Sequence, residues 1–282
     1  MNAAKEISRR MLQQNTLGCC GLDPDVSKFP LEILESHLSD EEKAYLFLTN
    51  VIDITAPYVC AFKAQKAFFD LFAGGHNLLK EVIRYSHRTF PGIQVIVDCK
   101  IGDTENTMEA YLKNLFVNLE ADGIVVNPYM GDDVLEPFAD MPEKAVVVLV
   151  RTSNPGASII QDMVTASGKM LWEVVLDYVV NRWNGASNMI PVISSTAGLD
   201  RSSIRKVIPN DMSILYAGIG EQGGDERGVK ELLNAEKSGV FVNSSRGILY
   251  PLCHNGQKWQ NAVMNKAIEL RDSLNAHRRK QC

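Results

Sequence analysis

Two carboxylates and one ammonium follow directly after a strongly apolar stretch of the sequence. Residues 93–97 are mostly β-branched and lead into Asp98, Lys100 and Asp103. Such a run predicts a strand that is buried on both faces. Buried charges are costly unless they pair, and catalysis is a common reason for a protein to keep them. We therefore expect acid–base or electrostatic chemistry at this strand end, with a salt bridge that merely closes the strand as the alternative.

The local pattern also predicts where these side chains point. Side chains alternate along a strand, so Asp98 and Lys100 should share one face while Cys99 points to the other. Gly102 interrupts the strand, and the acidic, cap-rich run 103–107 is typical of the start of a helix. The charges should therefore lie between a core strand and the helix that follows it.

Strands and helices alternate along the whole chain. Eight apolar stretches predict strands at about residues 17–22, 58–62, 93–97, 123–127, 145–150, 189–193, 213–216 and 240–242. Helical stretches separate these strands, and an amphipathic helix at 3–14 precedes the first. A (β/α)8 barrel has this element order and typically about 250 residues. The sequence therefore predicts a single TIM barrel domain over residues 1–282 with an additional N-terminal helix, and a doubly wound open sheet is the alternative.

In a barrel of this kind, the carboxyl ends of the strands face one pocket. The polar residues predicted at those ends are Asp23, Lys63, Asp98, Lys100, Asp103, Asn127, Ser153, Thr196, Gln222 and Arg246. Like charges about 4 Å apart repel by roughly 1–4 kcal/mol, depending on the local dielectric. Alternating acids and bases relieve this repulsion, so we expect a chain of aspartates and lysines that stays charged in a water-poor pocket.

A glycine-rich run follows the seventh predicted strand. Residues 218–224 match Gly-x-Gly-x-x-Gly, but they do not follow the first strand, and no acidic residue closes a second strand about 20 residues later. We therefore set a dinucleotide site aside. Together with 244–247 after the eighth strand, the glycines fit the phosphate site of such barrels, with Arg246 as the clamp. Two tight turns and a solvated arginine are the alternative.

Composition and charge exclude several classes of function. The chain is 45% hydrophobic and 22% charged, with a formal net charge of −5, which is typical of a globular protein and unlike a nucleic-acid binder held by bulk electrostatics. No apolar run approaches the ~20 residues of a membrane span. The charged N-terminal residues 1–15 lack the apolar block of a signal peptide, so we expect a cytoplasmic protein without a membrane partner.

Cysteines and histidines show no ligand spacing. The six cysteines include no Cys-x-x-Cys pair, which favours buried reduced thiols over disulfides or zinc. The histidines predict neither a triad base nor a metal site, and they are His37, His76, His87, His254 and His277. We therefore expect no metal.

Seven segments between about residues 17 and 250 together resemble the orotidine 5′-phosphate decarboxylase family, in its longer, mainly bacterial branch. They are Gly-Leu-Asp-Pro at 21–24, Phe-Lys-Ala-Gln at 62–65, Asp-Cys-Lys-Ile-Gly-Asp at 98–103, Asn-Pro-Tyr-Met-Gly at 127–131, Thr-Ser-Asn-Pro-Gly at 152–156, Gly-Ile-Gly-Glu-Gln-Gly-Gly-Asp at 218–225 and Ser-Ser-Arg-Gly-Ile at 244–248. The Asp-x-Lys-x-x-Asp motif alone is shared with sugar-phosphate synthases and decarboxylases of the same superfamily. All seven segments in this order are far more specific.

The resemblance implies conversion of orotidine 5′-phosphate to uridine 5′-phosphate, the last step of de novo pyrimidine nucleotide synthesis, without a cofactor. Asp98 and Lys100 would flank the leaving carboxylate, and Lys100 would protonate C6. Asp23 and Lys63 would hold the ribose hydroxyls, with Lys63 also supporting Asp98. Ser153 would bind the pyrimidine.

The resemblance also implies a phosphate site and a partner. Gln222 and Arg246 would bind the phosphate of the nucleotide. Asp103 would be given to the site of a neighbouring subunit, with Thr104 and Thr107 beside it, so a homodimer is expected.

Three segments depart from the family pattern. Tyr216-Ala217 stands where Val-Pro is common, Ser194-Ser195-Thr196 replaces a typical Gly-Ala-Thr, and Thr104 stands where isoleucine is common. All three neighbour expected site residues, so they bear on loop shape more than on chemistry. A sugar-phosphate enzyme of the same superfamily and a non-catalytic nucleotide-binding relative remain the alternative functions.

Overall fold

Eight parallel strands close into a barrel in the computed structural model, which describes residues 2–219, 223–253 and 257–278. Each strand pairs with the next in sequence, and the last pairs with the first. The strands are β1 (Gly18–Gly21), β2 (Ala61–Gln65), β3 (Gln94–Ile101), β4 (Gly123–Val126), β5 (Ala145–Arg151), β6 (Met189–Ser194), β7 (Ile214–Ala217) and β8 (Val240–Ser244). The closed order confirms the predicted (β/α)8 barrel and shows that the open-sheet alternative was wrong.

Helices connect the strands and cover the barrel. The α-helices are α1 (Ala3–Gln13), α2 (Leu31–Leu34), α3 (Asp40–Thr55), α4 (Lys66–Phe69), α5 (Gly75–Thr89), α6 (Glu105–Leu112), α7 (Asp132–Leu135), α8 (Ser158–Gln161), α9 (Leu171–Asn181), α10 (Arg201–Val207), α11 (Gly228–Leu232), α12 (Arg246–Leu249) and α13 (Trp259–Ala276). A π-helical segment, Lys113–Asn118, continues α6. The helix before β1 confirms the predicted N-terminal addition. No helix of the described ranges is long and apolar enough to cross a membrane.

Strand β2 lies later in the chain than the predicted range 58–62. Ala56–Tyr58 forms a 3-10 turn that contains Pro57, and proline has no amide hydrogen for a strand ladder. As a result Lys63 lies within β2, opposite Ile96 of the neighbouring strand, rather than just after the strand end.

Strand β3 extends beyond its predicted end at residue 97. Its backbone remains paired with β2 as far as Asp98, which lies opposite Gln65. Ladder hydrogen bonds join main-chain groups, so a charged side chain does not end the pairing. The chemistry predicted after the strand is therefore carried partly by the strand itself.

The apolar part of β3 forms a rigid support for the charges that follow it. Val95, Ile96 and Val97 are all fully buried, which confirms a strand covered on both faces. Burying each such side chain stabilises the fold by about 1.5–3 kcal/mol. The position of Asp98 is therefore fixed by its neighbours in the core.

The cysteines and one histidine match their predicted structural roles. Cys19, Cys20 and Cys60 are buried, and all five described cysteines are free thiols. The Nε2 atom of His87 lies 2.7 Å from a carboxylate oxygen of Asp122. The same oxygen accepts the amide hydrogen at the start of β3, so this histidine supports the barrel.

Candidate active site

Lys100 lies at an irregularity near the end of β3. Its φ of +47° falls in the left-handed region, which side chains other than glycine enter at a cost on the order of 1–3 kcal/mol. The pairing of β3 with β4 shifts register between Val97 and Ile101. Such strain is concentrated at functional sites. Within this irregular stretch the ammonium of Lys100 lies against the carboxylate of Asp98.

Asp98 bridges two lysines. Its Oδ2 atom lies 2.9 Å from Nζ of Lys63, and its Oδ1 atom lies 2.7 Å from Nζ of Lys100. Lys63 and Asp98 are buried, whereas the side chain of Lys100 is 46% exposed. The three residues form one ion chain, which we call the Lys63–Asp98–Lys100 chain. Its inner end is anchored in the barrel and its outer end is an ammonium that a ligand can reach.

The ion chain keeps its buried members charged. Burial alone lowers the pKa of Lys63, but the attraction of Asp98 and Asp23 outweighs burial and raises that pKa above its ordinary value. Burial raises the pKa of Asp98, but the attraction of Lys63 and Lys100 outweighs it and leaves that pKa below its ordinary value. Both groups are therefore ionised at neutral pH, as the alternation of acids and bases predicted.

Asp23 follows β1, and its negative charge also acts on Lys63. Its Oδ1 atom accepts the amide hydrogen of Gln65 at 3.1 Å, and its carbonyl accepts the hydroxyl of Tyr250 at 2.9 Å. Tyr250 follows α12, so it ties the loop after β1 to the chain after β8. The Asp23 carboxylate is thereby held beside the ion chain.

Asp103, Thr104 and Thr107 lie where β3 passes into α6. A carboxylate oxygen of Asp103 accepts the amide hydrogen of Thr104 at 2.7 Å. Asp103 and Thr107 are half-buried, and Thr104 is exposed. Within the described part of this single chain, Asp103 belongs to no ion pair, unlike Asp98. Its carboxylate is thus held by a backbone amide and not by a lysine of the same chain.

Ser153 lies in the polar loop after β5, beside a pocket of about 390 Å³. The pocket is lined by Arg151, Ser153, Asn154, Pro155, Thr196 and Ala197. The Thr196 hydroxyl donates to the Ser153 carbonyl at 2.9 Å, so the ends of β5 and β6 are joined here. A larger groove, of about 760 Å³, lies between α6 and the 3-10 helix Glu136–Asp140. That groove contains none of the predicted site residues, so we place the chemistry at the strand ends.

An ion pair that the sequence did not predict supports the Ser153 loop. Arg151 is buried, and its guanidinium makes two hydrogen bonds to the Asp162 carboxylate, of 2.8 and 2.9 Å. The same guanidinium donates to the Thr152 carbonyl. A bidentate arginine–carboxylate pair of this kind fixes the relative orientation of the two side chains and also pairs their charges. The only signal in the sequence was an arginine at the end of an apolar strand.

The first residue of the glycine-rich segment after β7, Gly218, packs directly against this loop. Gly218 has a φ of +99°, and a Cβ atom there would lie 2.6 Å from Cβ of Ser153. The amide of Gly224 donates to the Gly218 carbonyl at 3.0 Å, so these two glycines are directly joined. Gln222 lies outside the described residues. Arg246 is exposed at the start of α12, after β8.

The described residues offer no cluster of three or more His, Cys, Asp or Glu side chains that could hold a metal ion. The acidic side chains of the site are instead engaged with lysines and backbone amides. This arrangement therefore offers preorganised cations and hydrogen-bond donors to a bound anion.

Replacing Asp98 with asparagine should destabilise the protein, because it leaves Lys63 buried without its counterion. Breaking a buried pair from one side costs about 3–5 kcal/mol, and urea denaturation at neutral pH would measure this loss. The Asp98 contribution is present at neutral pH and is lost as pH falls through its lowered pKa. The Lys63 contribution is lost as pH rises through its raised pKa.

Asp70→Asn is the matched control for this variant. Asp70 pairs with Lys66 four residues away on the exposed side of α4, where an ion pair contributes at most about 0.5 kcal/mol. Equal free energies of unfolding for the two variants would contradict the structural role given to Asp98.

Comparison with known proteins identifies the family. The model of the "Orotidine 5'-phosphate decarboxylase / HUMPS family" matches residues 25–251. A Cupriavidus taiwanensis protein named orotidine 5'-phosphate decarboxylase is 36% identical over 279 residues, which cover 99% of both chains. A protein of the same name from Azoarcus sp. is 38% identical over 94% of this chain and 96% of its own.

Solved structures show the same similarity. The structure of Leishmania donovani OMP decarboxylase superposes with a TM-score of 0.82 at 30% sequence identity and covers 99% of both chains. Leishmania donovani UMP synthase gives a TM-score of 0.80 at 32% identity, covering 97% of this chain and 55% of its own. The matched residues include β2 to β8 and the strand-end residues described above, except Asp23. The chain therefore belongs to the orotidine 5′-phosphate decarboxylase / HUMPS family.

Proposed function

We propose that this protein converts orotidine 5′-phosphate to uridine 5′-phosphate and CO2 without a cofactor, with Lys100 as the proton donor. The observation that carries the proposal is the Lys63–Asp98–Lys100 chain, which places a reachable ammonium beside a buried carboxylate. Family membership and the names of the full-length relatives support the same reaction.

The reaction needs a cation at one particular atom. When the bond between C6 and the carboxylate breaks, CO2 leaves and the electron pair stays on C6, in the plane of the ring. No neighbouring group of the pyrimidine delocalises that pair. A preorganised ammonium at this position stabilises the developing charge. The same ammonium then transfers a proton to C6, which leaves neutral Lys100 to recover a proton from solvent.

Asp98 has two functions in this proposal. Its carboxylate lies 2.7 Å from Nζ of Lys100 and so orients the ammonium before substrate binds. It would also lie beside the carboxylate of the substrate, and the release of CO2 removes that like-charge contact. Because Lys63 neutralises the buried side of Asp98, the site keeps this carboxylate ionised.

The remaining site residues are proposed to hold the nucleotide. Asp23 and Lys63 would bind the ribose hydroxyls from the ends of β1 and β2. Ser153 would hydrogen-bond the pyrimidine, and the Arg151–Asp162 ion pair supports its loop. Gln222 and Arg246 would bind the phosphate, as is usual for the loops after β7 and β8 of such barrels.

We further propose a homodimer in which Asp103 completes the site of the neighbouring subunit, with Thr104 and Thr107 beside it. The absence of an ion pair for Asp103 within the described single chain supports this arrangement. Exposed apolar side chains on the short helical segments after β4 and β5 also support it, among them Tyr129 at 81% and Ile159 at 76% exposure. A partner subunit is the simplest cover for such a surface. The free thiols of all five described cysteines are consistent with a cytoplasmic location.

Loss of the orotate absorbance in the ultraviolet tests the proposed reaction. We expect the purified protein to convert orotidine 5′-phosphate to uridine 5′-phosphate at the same rate with and without EDTA. A sugar-phosphate enzyme of the same family would leave the absorbance unchanged. A non-catalytic relative would bind uridine 5′-phosphate and still leave orotidine 5′-phosphate intact, and either result would contradict the proposal.

A further inference from the structure

Strand β3 leaves the ladder of β4 just before its end and then returns to it. Val97 lies opposite Ile124 and Ile101 lies opposite Val126. Over this stretch β3 advances by four residues while β4 advances by two, so residues 98–100 form a bulge on the β4 side. Bulges next to active sites set the direction of a side chain, and this one contains two members of the Lys63–Asp98–Lys100 chain.

The bulge ends at a close contact with the backbone of Asn127, directly after β4. The Asn127 amide donates to the Ile101 carbonyl at 2.7 Å. Gly102 follows, and a Cβ atom on it would lie 2.4 Å from the carbonyl oxygen of Asn127. Two atoms at that distance would overlap. Glycine is therefore required at position 102 for the two backbones to approach this closely.

The backbone of Asn127 is itself fixed. All four residues of β4 before it are buried, and Pro128 after it confines Asn127 to the extended conformation that it adopts, with φ −101° and ψ 116°. Its side-chain oxygen also accepts the amide hydrogen of Tyr129 at 3.1 Å. A side chain at position 102 would therefore displace the end of β3, where the side chain of Lys100 is 46% exposed, rather than Asn127.

We propose that Gly102 is a positioning residue for Lys100, which acts by fixing the point at which the bulge ends. This inference rests on the proposed function, because it concerns the proposed proton donor. Lys100 keeps its unfavourable φ of +47° because the chain is held on both sides of it, at Val97 and at Ile101. The contact between Gly102 and Asn127 secures the second of these points and so keeps the ammonium against Asp98.

The variant Gly102→Ala tests the proposal. A shift of about 1 Å in a catalytic group can cost on the order of 10²-fold in rate, so we expect kcat on orotidine 5′-phosphate to fall by about that factor. Uridine 5′-phosphate lacks the departing carboxylate, and its ribose and phosphate are assigned to residues after other strands. Its Kd, measured by calorimetry, should therefore stay within about threefold of wild type.

Acetylation of the lysines, followed by mass spectrometry, reports on Lys100 without turnover. Acetic anhydride reacts with the neutral amine, so the ammonium of Lys100 must first give up its bond of 2.7 Å to Asp98. Lys5 is exposed on α1 and serves as the internal reference. We expect the acetylation rate of Lys100, relative to that of Lys5, to rise several-fold in Gly102→Ala.

Gly185→Ala is the matched control. Gly185 lies in the turn before β6, and within the described part of the chain a Cβ atom there would meet no heavy atom within 4 Å beyond its chain neighbours. We expect its kcat, Kd and acetylation ratio to equal those of wild type. If Gly102→Ala does not fold, Asn127→Ala, which removes the acceptor for Tyr129, should lower kcat and raise the acetylation ratio. Asn127→Ser, which keeps an acceptor, should restore both.

Two results would overturn the inference: an unchanged acetylation ratio at Lys100, or equal losses in kcat and in affinity for uridine 5′-phosphate. The acetylation measurement does not depend on the reaction. A wild-type protein that binds uridine 5′-phosphate but does not consume orotidine 5′-phosphate would therefore overturn the proposed function, while the acetylation ratio would still decide whether Gly102 positions Lys100.

Discussion

The variant Lys100→Ala is expected to fold normally and to lose decarboxylation almost completely. In the proposed mechanism, this substitution removes both the cation that stabilises the C6 carbanion and the proton that quenches it. A positioned acid typically contributes 10²–10⁴-fold and a preorganised charge about 10²–10³-fold. We therefore expect kcat on orotidine 5′-phosphate to fall by about four orders of magnitude or more. The fold should survive, because the Lys100 side chain is 46% exposed and Asp98 keeps its bond to Lys63.

Lys66→Ala is the matched control for the loss of a lysine charge near the site. Lys66 begins α4 directly after β2 and pairs with Asp70 on the surface, so we expect this variant to keep near-wild-type turnover. Circular dichroism and thermal melting would check that both variants are folded. A Lys100→Ala protein that turns over at nearly the wild-type rate would remove Lys100 from the mechanism.

Mixed dimers of Lys100→Ala and Asp103→Ala subunits should regain activity that neither variant has alone. If Asp103 serves the neighbouring site, a mixed dimer has one site that lacks both residues and one site that lacks neither. In an equimolar mixture with free exchange, about half of the dimers are mixed, because the interface of a two-fold dimer is the same for both subunits. We therefore expect about a quarter of wild-type activity per subunit.

The exchange of subunits must be shown independently, for example by co-purification through a tag on only one variant. The control is a mixture of Lys100→Ala with wild type, whose activity should follow the fraction of intact Lys100. A mixture of the two variants that exchanges subunits but remains inactive would contradict the shared site.

The order of elements could be predicted from the sequence because it depends on hydrophobic periodicity. Runs such as residues 93–97 and 145–150 are mostly apolar over strand length, and they overlap the strands β3 and β5. The ends of strands were less predictable, since main-chain pairing continues past the last apolar residue. Asp98 and Lys63 are therefore part of their strands rather than of the loops.

The candidate site was predictable in its residue types and only partly in its geometry. Alternation along a regular strand placed Asp98 and Lys100 together, but it could not predict the left-handed φ and register shift at Lys100. The Arg151–Asp162 pair was missed because its partners lie 11 residues apart, at the end of β5 and after α8. Tertiary contacts of this kind leave no periodic signal in the sequence.

The position of Tyr216 shows how a local departure from a family pattern acquires meaning in three dimensions. In the sequence it was only a residue that differs from the common valine. In the structure its hydroxyl reaches Asp225 and its ring packs beneath Arg201. The ends of β6 and β7 thus both depart from the family pattern, and these two strands are neighbours in the barrel.

Release of CO2 from carboxyl-labelled orotidine 5′-phosphate tests the central claim most directly, which is that the Lys63–Asp98–Lys100 chain removes this carboxylate and protonates C6. With the purified wild-type protein in EDTA, we predict one labelled CO2 and one uridine 5′-phosphate for each substrate consumed, and neither product above background with Lys100→Ala. Wild-type protein that binds uridine 5′-phosphate yet releases no labelled CO2 would contradict the claim.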